Sequence, residues 1–294
     1  MSYTAIAIIY NPKSTGSSER LARELEARLR ADLPGQEIEL IATGYKGHGR
    51  ELAYSIAMAS KNPLIISSSG DGGYHEVING AMRAQSEGAH PTTGLLPAGN
   101  ANDHHRNLHD EDIVSTIKRQ KSIKIDLLKM SGTSKGEKVE LYAHSYIGLG
   151  LTPFVGRELN KTKLNAAAEI WAVVHALLTV QSIKLRINGR VARYESVIFS
   201  NVDTMSKYLS VSQPSSITDG KFEVTIFERR SKMQLIMTLL KASTQGVQED
   251  HTVHEFSLET VNKTLVQADG EIIVLDANSN VSIKAERQTL NCIV

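Results

Sequence analysis

The sequence has little of several features that would assign a protein to a class directly. Its single cysteine, Cys292, excludes an intrachain disulfide. No apolar run approaches the roughly 18–20 residues that span a bilayer. The N-terminus carries no signal-like segment, so we expect a cytoplasmic protein. The 33 basic residues are balanced by 32 acidic ones, and this near-neutral charge argues against a dedicated nucleic-acid-binding protein.

What the sequence does contain is the composition of a folded globular protein. Hydrophobic residues make up 41% of the 294 residues and charged residues 22%, values that exclude a disordered chain. Because domains usually have roughly 100–200 residues, this length predicts two domains, each large enough to bury a core.

The first third of the chain alternates strand and helix signals. Apolar runs predict strands at 5–10, 37–41, 64–68 and 94–96. Helical spacing of apolar residues predicts a helix after residue 17 and further helices at 49–60 and 74–84. Strands and helices that alternate with short connections indicate a parallel, doubly wound sheet. We therefore predict an α/β domain over residues 1–122.

Beyond residue 122, short strand signals dominate. The predicted strands are 124–129, 138–147, 182–187, 195–200, 221–227, 264–267 and 281–285, with a hairpin loop at 131–136. Two helices interrupt them, at 164–180 and 232–240. This pattern predicts a second, mainly antiparallel β domain over residues 123–287.

Three glycine-containing turns follow predicted strands of the first domain, at 11–16, 70–73 and 97–102. In an open parallel sheet, the carboxyl ends of the strands form the ligand crevice. Glycine lets the backbone approach a phosphate, and a following helix N-terminus favours the negative charge. Neither a GxxxxGK[ST] loop nor a GxGxxG fingerprint occurs in these turns. Each turn taken alone could also be a purely structural tight turn.

The residues of these turns resemble a known family. The segment SGDGGYHEVING, residues 69–80, resembles the GGDGTxxEVxNG signature of the diacylglycerol kinase catalytic-domain family, and its SGDG form is closer still to sphingosine kinases. Four further segments resemble family motifs in the same order along the chain: NPKSTG at 11–16, PAGNANDHHR at 97–106, DGKF at 219–222 and ADGE at 268–271.

This resemblance implies a two-domain lipid kinase. The expected fold is an N-terminal α/β domain, similar to phosphofructokinase and NAD kinase, and a C-terminal β-sandwich, with ATP between them. The tail at about 288–294 is expected to return to the first domain. The implied acceptor is a lipid hydroxyl, as in diacylglycerol, phosphatidylglycerol or sphingosine. Peripheral contact with the inner face of the membrane follows from such a substrate, and a homodimer is among the assemblies that the resemblance allows.

The resemblance also assigns roles to individual positions. Nucleotide contacts are expected from Asn11, Thr43, Ser69, Gly70, Asp71, Gly72, Gly73, Tyr74, His75 and Asn100. A Mg²⁺ site maps to Ser216, Asp219 and Lys221, with the last contributing its backbone carbonyl. The catalytic proton acceptor maps to Glu271, with Asp269 beside it.

Asp71 is the only acidic residue of the 69–73 segment, and two functional roles are open to it. Its carboxylate could bind a catalytic Mg²⁺ or accept the proton of the lipid hydroxyl. A purely structural role in forming the turn is the third possibility for Asp71.

The sequence departs from the family pattern at two positions: Gly73 and Asn100 stand where the family has threonine. We therefore expect weaker or altered nucleotide contacts.

Three alternatives stay open. NAD kinase shares the GGDG loop, although the second half of the chain resembles lipid kinases more closely. A sphingoid base is an alternative acceptor, but its amine requires an acidic side chain near the pocket, and the sequence does not identify one. A non-catalytic protein that binds a nucleotide or a lipid is the third alternative, because two phosphate-binding hydroxyls are missing.

Overall fold

The computed structural model describes residues 3–14, 17–99, 112–153, 181–202, 204–205, 209–210, 216–229 and 251–293. The chain divides into two compact units. The first unit comprises Met1–Asp126 and Gln288–Val294, and the second comprises Leu127–Arg287. The chain passes from one unit to the other twice, each time within a long strand: β5 (Ser122–Ser134) and β17 (Asn280–Ile293).

The first unit is a parallel sheet with helices on both faces. Its strands are β1 (Ala5–Tyr10), β2 (Ile38–Ala42), β3 (Pro63–Ser69), β4 (Thr92–Pro97) and the end of β17. Its helices are α1 (Ser18–Asp32), α2 (His48–Ala59), α3 (Asp71–Ser86) and α4 (Ile113–Arg119). The sheet order is β17-β4-β3-β1-β2, with every neighbouring pair parallel. The prediction of a parallel α/β fold is confirmed.

The two faces of this sheet are covered by different helices. One layer contains Ile6 and Ile8 of β1 packed with Leu25 and Leu29 of α1. These leucines are four residues apart, so they lie on one side of the helix, and this explains why the predicted stripe packs on the sheet. On the strands, the alternate residues point to the other face, and α2 and α3 pack together there against β1 and β3.

The C-terminal segment adds the fifth parallel strand. Asn291 and Cys292 of β17 pair with Thr92 and Thr93 of β4. Gly94 has to be small because a Cβ there would lie 2.5 Å from Cδ1 of Ile293. The last strand therefore packs into a space that a glycine of β4 leaves open.

The second unit is antiparallel. Its main sheet order is β16-β15-β7-β9-β8-β14-β17, while β12 pairs with β9 and β13, and β5 pairs with β6 and β17. The strands are β6 (Glu137–Ala143), β7 (Tyr146–Gly150), β8 (Ile183–Ile187), β9 (Arg190–Ser200), β12 (Phe222–Glu228), β13 (His251–Val253), β14 (Glu255–Thr260), β15 (Thr264–Ala268) and β16 (Glu271–Leu275). A separate pair joins β10 (Thr204–Met205) and β11 (Leu209–Ser210). The predicted antiparallel β class is confirmed.

Two features predicted for the second unit differ from the structure. The single strand predicted at 138–147 is two strands, β6 and β7, because the backbone at 144–146 turns its N–H groups towards Asp269. The hairpin loop predicted at 131–136 shrinks to a turn at Lys135–Gly136, both with positive φ, so β5 extends to Ser134. The helices predicted at 164–180 and 232–240 lie outside the described residues.

Candidate active site

The predicted nucleotide-binding residues of the first unit gather at one edge of its sheet. Tyr10 of β1 pairs with both Ala42 and Ser68, and Ser69 pairs with Pro97. The residues that follow these strand ends, among them Asn11, Thr43 and Gly70, therefore lie at the same carboxyl edge. Parallel sheets bind ligands at this edge. Asn100 lies outside the described residues.

The segment 71–73 is the first turn of helix α3, not a loop before it. The helix begins at Asp71, three residues earlier than the sequence predicted, with Gly70 as its N-cap in an extended conformation. Gly73 and Tyr74 donate their N–H groups to the Gly70 carbonyl at 3.1 and 3.2 Å. No side chain of the described residues caps this end of the helix. The positive end of the helix dipole therefore points to the sheet edge, where it favours an anion.

Glycine at position 70 allows two turns of the edge to approach each other. A Cβ on Gly70 would lie 3.0 Å from Cα of Gly99, and the Ala98 N–H donates to the Ser69 carbonyl at 2.9 Å. The turn after β3 and the turn after β4 are therefore in direct backbone contact. A larger residue at position 70 would separate them.

Asn11 fixes the turn after β1. Its side-chain oxygen accepts the Lys13 N–H at 2.9 Å, and its own N–H donates to Ser18 Oγ at 3.0 Å. This turn lines an open pocket of about 560 Å³ that also contains Arg20 and Arg23 of α1. Both arginines form ion pairs within their helix, with Glu24 and Glu19. Sequence reasoning did not single out these arginines, and Glu19 lines the same pocket.

Glu76 connects α3 to the turn before α2. Its Oε1 accepts the Gly47 N–H at 2.8 Å and its Oε2 accepts the Gly49 N–H at 3.0 Å. These are donors at the N-terminus of α2, which has no side-chain cap of its own. Glu76 therefore holds the segment that follows Thr43, a positioning role that sequence reasoning did not assign.

Two predicted nucleotide contacts have fully buried side chains. The Tyr74 hydroxyl forms hydrogen bonds with Thr93 Oγ1 at 2.9 Å and with Cys292 Sγ at 3.2 Å. His75 is also fully buried, and the Asn79 side-chain amide donates to its carbonyl at 2.8 Å. A ligand at the sheet edge could therefore contact these two residues only through their backbone.

In the second unit, Asp269 and Gly270 form the turn between β15 and β16. Both have positive φ, 47° and 97°, as a two-residue hairpin turn requires. The Asp269 carboxylate is 1% exposed and accepts the N–H groups of His144, Ser145 and Tyr146 at 2.7–3.0 Å. His144 Nε2 lies 3.5 Å from the same carboxylate. Asp269 therefore joins the turn to the chain between β6 and β7.

Glu271 differs from Asp269 in accessibility. It is the first residue of β16, pairs with Ala268 and is half-buried. Of the two acidic residues at this turn, Glu271 is the more exposed one. The structure therefore separates a structural carboxylate, Asp269, from an accessible one, Glu271.

The residues predicted to bind Mg²⁺ lie in one exposed turn before β12. Asp219 Oδ1 accepts the Lys221 N–H at 2.9 Å, and Ser216 Oγ lies 3.2 Å from Thr218 Oγ1. The donors offered are one carboxylate, one hydroxyl and one backbone carbonyl, all oxygen atoms. This set fits Mg²⁺, which binds few protein oxygens and retains several waters. Among the described residues, no three His, Cys, Asp or Glu side chains are grouped so that they could hold a metal.

The fold is an α/β unit, with glycine turns and a helix N-terminus at one sheet edge, followed by an antiparallel β unit. Residues 5–130 match the family model for the diacylglycerol kinase catalytic domain. This segment is less than half of the chain, and over it the chain is similar to the diacylglycerol kinase catalytic-domain family. The homologues support a lipid kinase, a phosphotransferase with an alcohol group as acceptor.

This chain is similar to diacylglycerol kinases in sequence and in fold. A diacylglycerol kinase from Staphylococcus aureus (strain bovine RF122 / ET3-1) is 26% identical over 268 residues, which covers 84% of this chain and 76% of the relative. The protein from strain MRSA252 matches to the same extent. A solved diacylglycerol kinase from Bacillus anthracis str. Sterne superposes with a TM-score of 0.70 at 17% identity, over 100% of this chain and 97% of that one. In the described part of the chain, no helix is long and apolar enough to span a membrane.

Proposed function

We propose that the protein transfers the γ-phosphate of ATP to the hydroxyl group of a lipid. The observation that carries the proposal is the edge of the first unit, where the glycine turn after β3 leads directly into the uncapped N-terminus of α3. Phosphoryl transfer depends mainly on positioning and on neutralising the phosphates. Backbone N–H groups at a helix N-terminus serve both requirements.

In this proposal, the β1 turn and the β3 turn bind the nucleotide phosphates. Asn11 and Ser69 contribute polar side chains, and Glu19, Arg20 and Arg23 line the pocket of the β1 turn. We assign to Asp71, the first residue of α3, the role of acting on the transferred group. Mg²⁺ would supply charge neutralisation for the phosphates, and the exposed turn with Ser216, Asp219 and Lys221 would hold a further ion.

The lipid oxygen attacks the γ-phosphorus, a new O–P bond forms, the bond to the β-phosphate oxygen breaks, and ADP leaves. The proton of the lipid hydroxyl passes to a carboxylate. Two carboxylates are candidates: Asp71 in the first unit and Glu271 in the second. Asp269 is excluded from this role because three backbone N–H groups and burial occupy its carboxylate.

The names of the curated relatives suggest diacylglycerol as the acceptor. A lipid substrate would bring the protein to the cytoplasmic face of the membrane, as a peripheral protein. The test is an assay with labelled ATP and Mg²⁺ on mixed micelles that contain diacylglycerol, phosphatidylglycerol, sphingosine or ceramide. Label in at least one lipid is the expected result. Tight nucleotide binding without label in any lipid would contradict the proposal and favour a non-catalytic binding protein.

A further inference from the structure

The backbone pairing that holds β1 next to β3 ends where the two turns of the proposed phosphate site begin. The last pair of these parallel strands joins Tyr10 and Ser68. Asn11 and the rest of the β1 turn follow Tyr10, while Ser69 and Gly70 follow Ser68. Backbone pairing sets the spacing of neighbouring strands at about 4.8 Å. Beyond the last pair, the spacing of the two turns therefore depends on other contacts.

The hydroxyl group of Ser18 makes the next connection between the two strands. Ser18 is the first residue of α1, and it is 1% exposed. Its Oγ donates a hydrogen bond to the Ser68 carbonyl oxygen and accepts the Asn11 N–H at 3.0 Å. A serine hydroxyl has one donor and two acceptor sites, so a single side chain satisfies both backbone groups. Ser18 therefore extends the contact between β1 and β3 by one residue beyond the sheet.

A second hydrogen bond fixes the position of this hydroxyl. The Ser68 Oγ donates to the Ser18 carbonyl oxygen at 2.7 Å, so the two serines exchange bonds in both directions. Both side chains are buried. A buried polar group that loses its partner is not rehydrated, and the arrangement is therefore held in one geometry. The start of α1 is attached in this way to the last residues of β3.

Each end of this connection lies next to residues that the proposed function assigns to the nucleotide. Asn11 is one of them, and its side-chain oxygen accepts the Lys13 N–H, so its backbone and its side chain are both fixed. Ser69 follows Ser68 directly, and Gly70 is the N-cap of α3. A shift of the connection would move the phosphate-binding groups of one turn relative to those of the other. A misplacement of about 1 Å can reduce a reaction rate by roughly a hundredfold.

We infer that Ser18 is a positioning residue for nucleotide binding, whose hydroxyl group fixes the distance between the β1 turn and the β3 turn. The inference rests on the proposed binding of the ATP phosphates by these turns. Asn11 and Ser69 contact the nucleotide in that proposal, and the buried Ser18 acts through them without touching the substrate. Alanine at position 18 would leave the Asn11 N–H without this acceptor and would disconnect it from Ser68.

Thr4 makes a comparable connection at the opposite edge of the same two strands and provides the control. Its Oγ1 accepts the Asn62 N–H at 3.0 Å and forms a hydrogen bond with Ser60 Oγ at 2.5 Å. Thr4 directly precedes β1, and Asn62 directly precedes β3. Thr4→Val therefore removes a hydroxyl that joins β1 to β3, keeps the size of the side chain, and leaves the carboxyl edge untouched.

The test measures ATP binding by isothermal titration calorimetry with Mg²⁺ and without lipid, for the wild-type protein, Ser18→Ala and Thr4→Val. We expect Ser18→Ala to bind ATP about tenfold more weakly, as for the loss of one well-placed hydrogen bond, and Thr4→Val to bind it as the wild type does. Urea unfolding of all three proteins establishes a temperature at which each is fully folded. Equal affinity in the wild type and Ser18→Ala, or an equal loss in Thr4→Val, would overturn the inference and leave the proposed function intact.

Steady-state kinetics with a phosphorylated lipid give a second readout. In Ser18→Ala the KM for ATP should rise by the same factor while the KM for the lipid stays at its wild-type value, a split that general loosening of the fold would not produce. A rise of both KM values together would overturn the inference. ATP binding without phosphorylation of any lipid would contradict the proposed kinase activity alone, and the titration would still decide the role of Ser18. A wild-type protein that binds no ATP would overturn both.

Discussion

Ser69 and a side chain at position 73 exclude each other. A Cβ on Gly73 would lie 2.6 Å from both Cβ and Oγ of Ser69, and 3.9 Å from Oγ of Ser67. The family signature that this segment resembles has glycine first and threonine last, whereas this chain has serine first and glycine last. The Ser69 hydroxyl therefore lies within reach of the place that a hydroxyl at position 73 would take. Serine at position 69 and glycine at position 73 therefore compensate each other sterically.

The first prediction concerns this pair. Gly73→Thr alone should destabilise the protein by about 1–3 kcal/mol because the new side chain overlaps Ser69 in a packed segment. Adding Ser69→Gly to it should recover most of that loss and restore nucleotide binding. Denaturant unfolding and the KM for ATP measure the two effects.

The control for this double change is Ser69→Gly alone. It creates no overlap, removes the hydroxyl that bonds Ser67 Oγ at 2.7 Å, and should weaken ATP binding with a small effect on stability. Additive behaviour of the two single changes in the double variant would contradict the steric coupling, since contacting residues are expected to be non-additive.

The second prediction separates the two acidic residues of the β15–β16 turn. Asp269→Asn should lower the free energy of unfolding by about 3 kcal/mol, because an amide cannot accept the three backbone N–H groups that the buried carboxylate accepts. Glu271→Gln should leave the stability within about 0.5 kcal/mol, since the residue is half-buried at a strand end. Phosphorylation of the lipid should nevertheless fall in Glu271→Gln. Stability loss in Glu271→Gln equal to that in Asp269→Asn would contradict the separation of roles.

The third prediction concerns Asp71. Asp71→Asn keeps the size of the side chain and removes one negative charge from the first turn of α3, a change that costs about 0.3–1 kcal/mol of helix stability. Lipid phosphorylation should be abolished, while nucleotide binding and the thermal unfolding curve stay close to those of the wild type. Full activity of this variant would contradict the proposed role of Asp71.

The apolar strands of the first unit could be predicted from the sequence because each is short, continuous and followed by a glycine turn. β1 was predicted with its observed bounds, and β2, β3 and β4 to within two residues at either end. The start of α3 could not be predicted from the sequence, since the two glycines in its first turn have low helix propensity. The helix begins there because the Gly70 carbonyl accepts two N–H groups of that turn.

The features of the second unit depend on residues that are distant in sequence. The break between β6 and β7 exists because the carboxylate of Asp269, 125 residues after His144, accepts N–H groups there. The β-bulge at Glu195 follows from the pairing of β9 with β12 and with β7, which no local pattern specifies.

The fourth prediction tests the connection that Glu76 makes. Glu76→Gln leaves one oxygen to accept a hydrogen bond, where the carboxylate accepts the N–H groups of both Gly47 and Gly49. We expect a loss of about 1–2 kcal/mol in stability and a higher KM for ATP, because the segment after Thr43 loses its anchor. Glu51→Gln, in the same first turn of α2 but paired with the exposed Tyr45 hydroxyl, is the matched control and should change neither quantity appreciably. A KM for ATP that is equal in the two variants would show that Glu76 does not position this edge.

The fifth prediction concerns alkaline pH. Burial raises the pKa of the Cys292 thiol from 9.0 to about 11, and burial also raises the pKa of the Tyr74 hydroxyl that bonds it. The unfolded chain therefore loses the thiol proton at lower pH than the folded chain does. The contribution of the Cys292 thiol to the free energy of unfolding should be complete below pH 9.0 and should decline as pH rises through about 11.

Urea unfolding of the wild type and of Cys292→Ala across this pH range isolates the thiol. The variant should be less stable at neutral pH because it leaves a small cavity beside Tyr74, and the difference between the two proteins should narrow as pH rises. Alkylation of Cys292 should require unfolding at neutral pH, because the thiolate is the reactive form and the folded protein disfavours it. A stability difference that stays constant from pH 9.0 to about 11 would mean that the folded protein does not hold the thiol protonated.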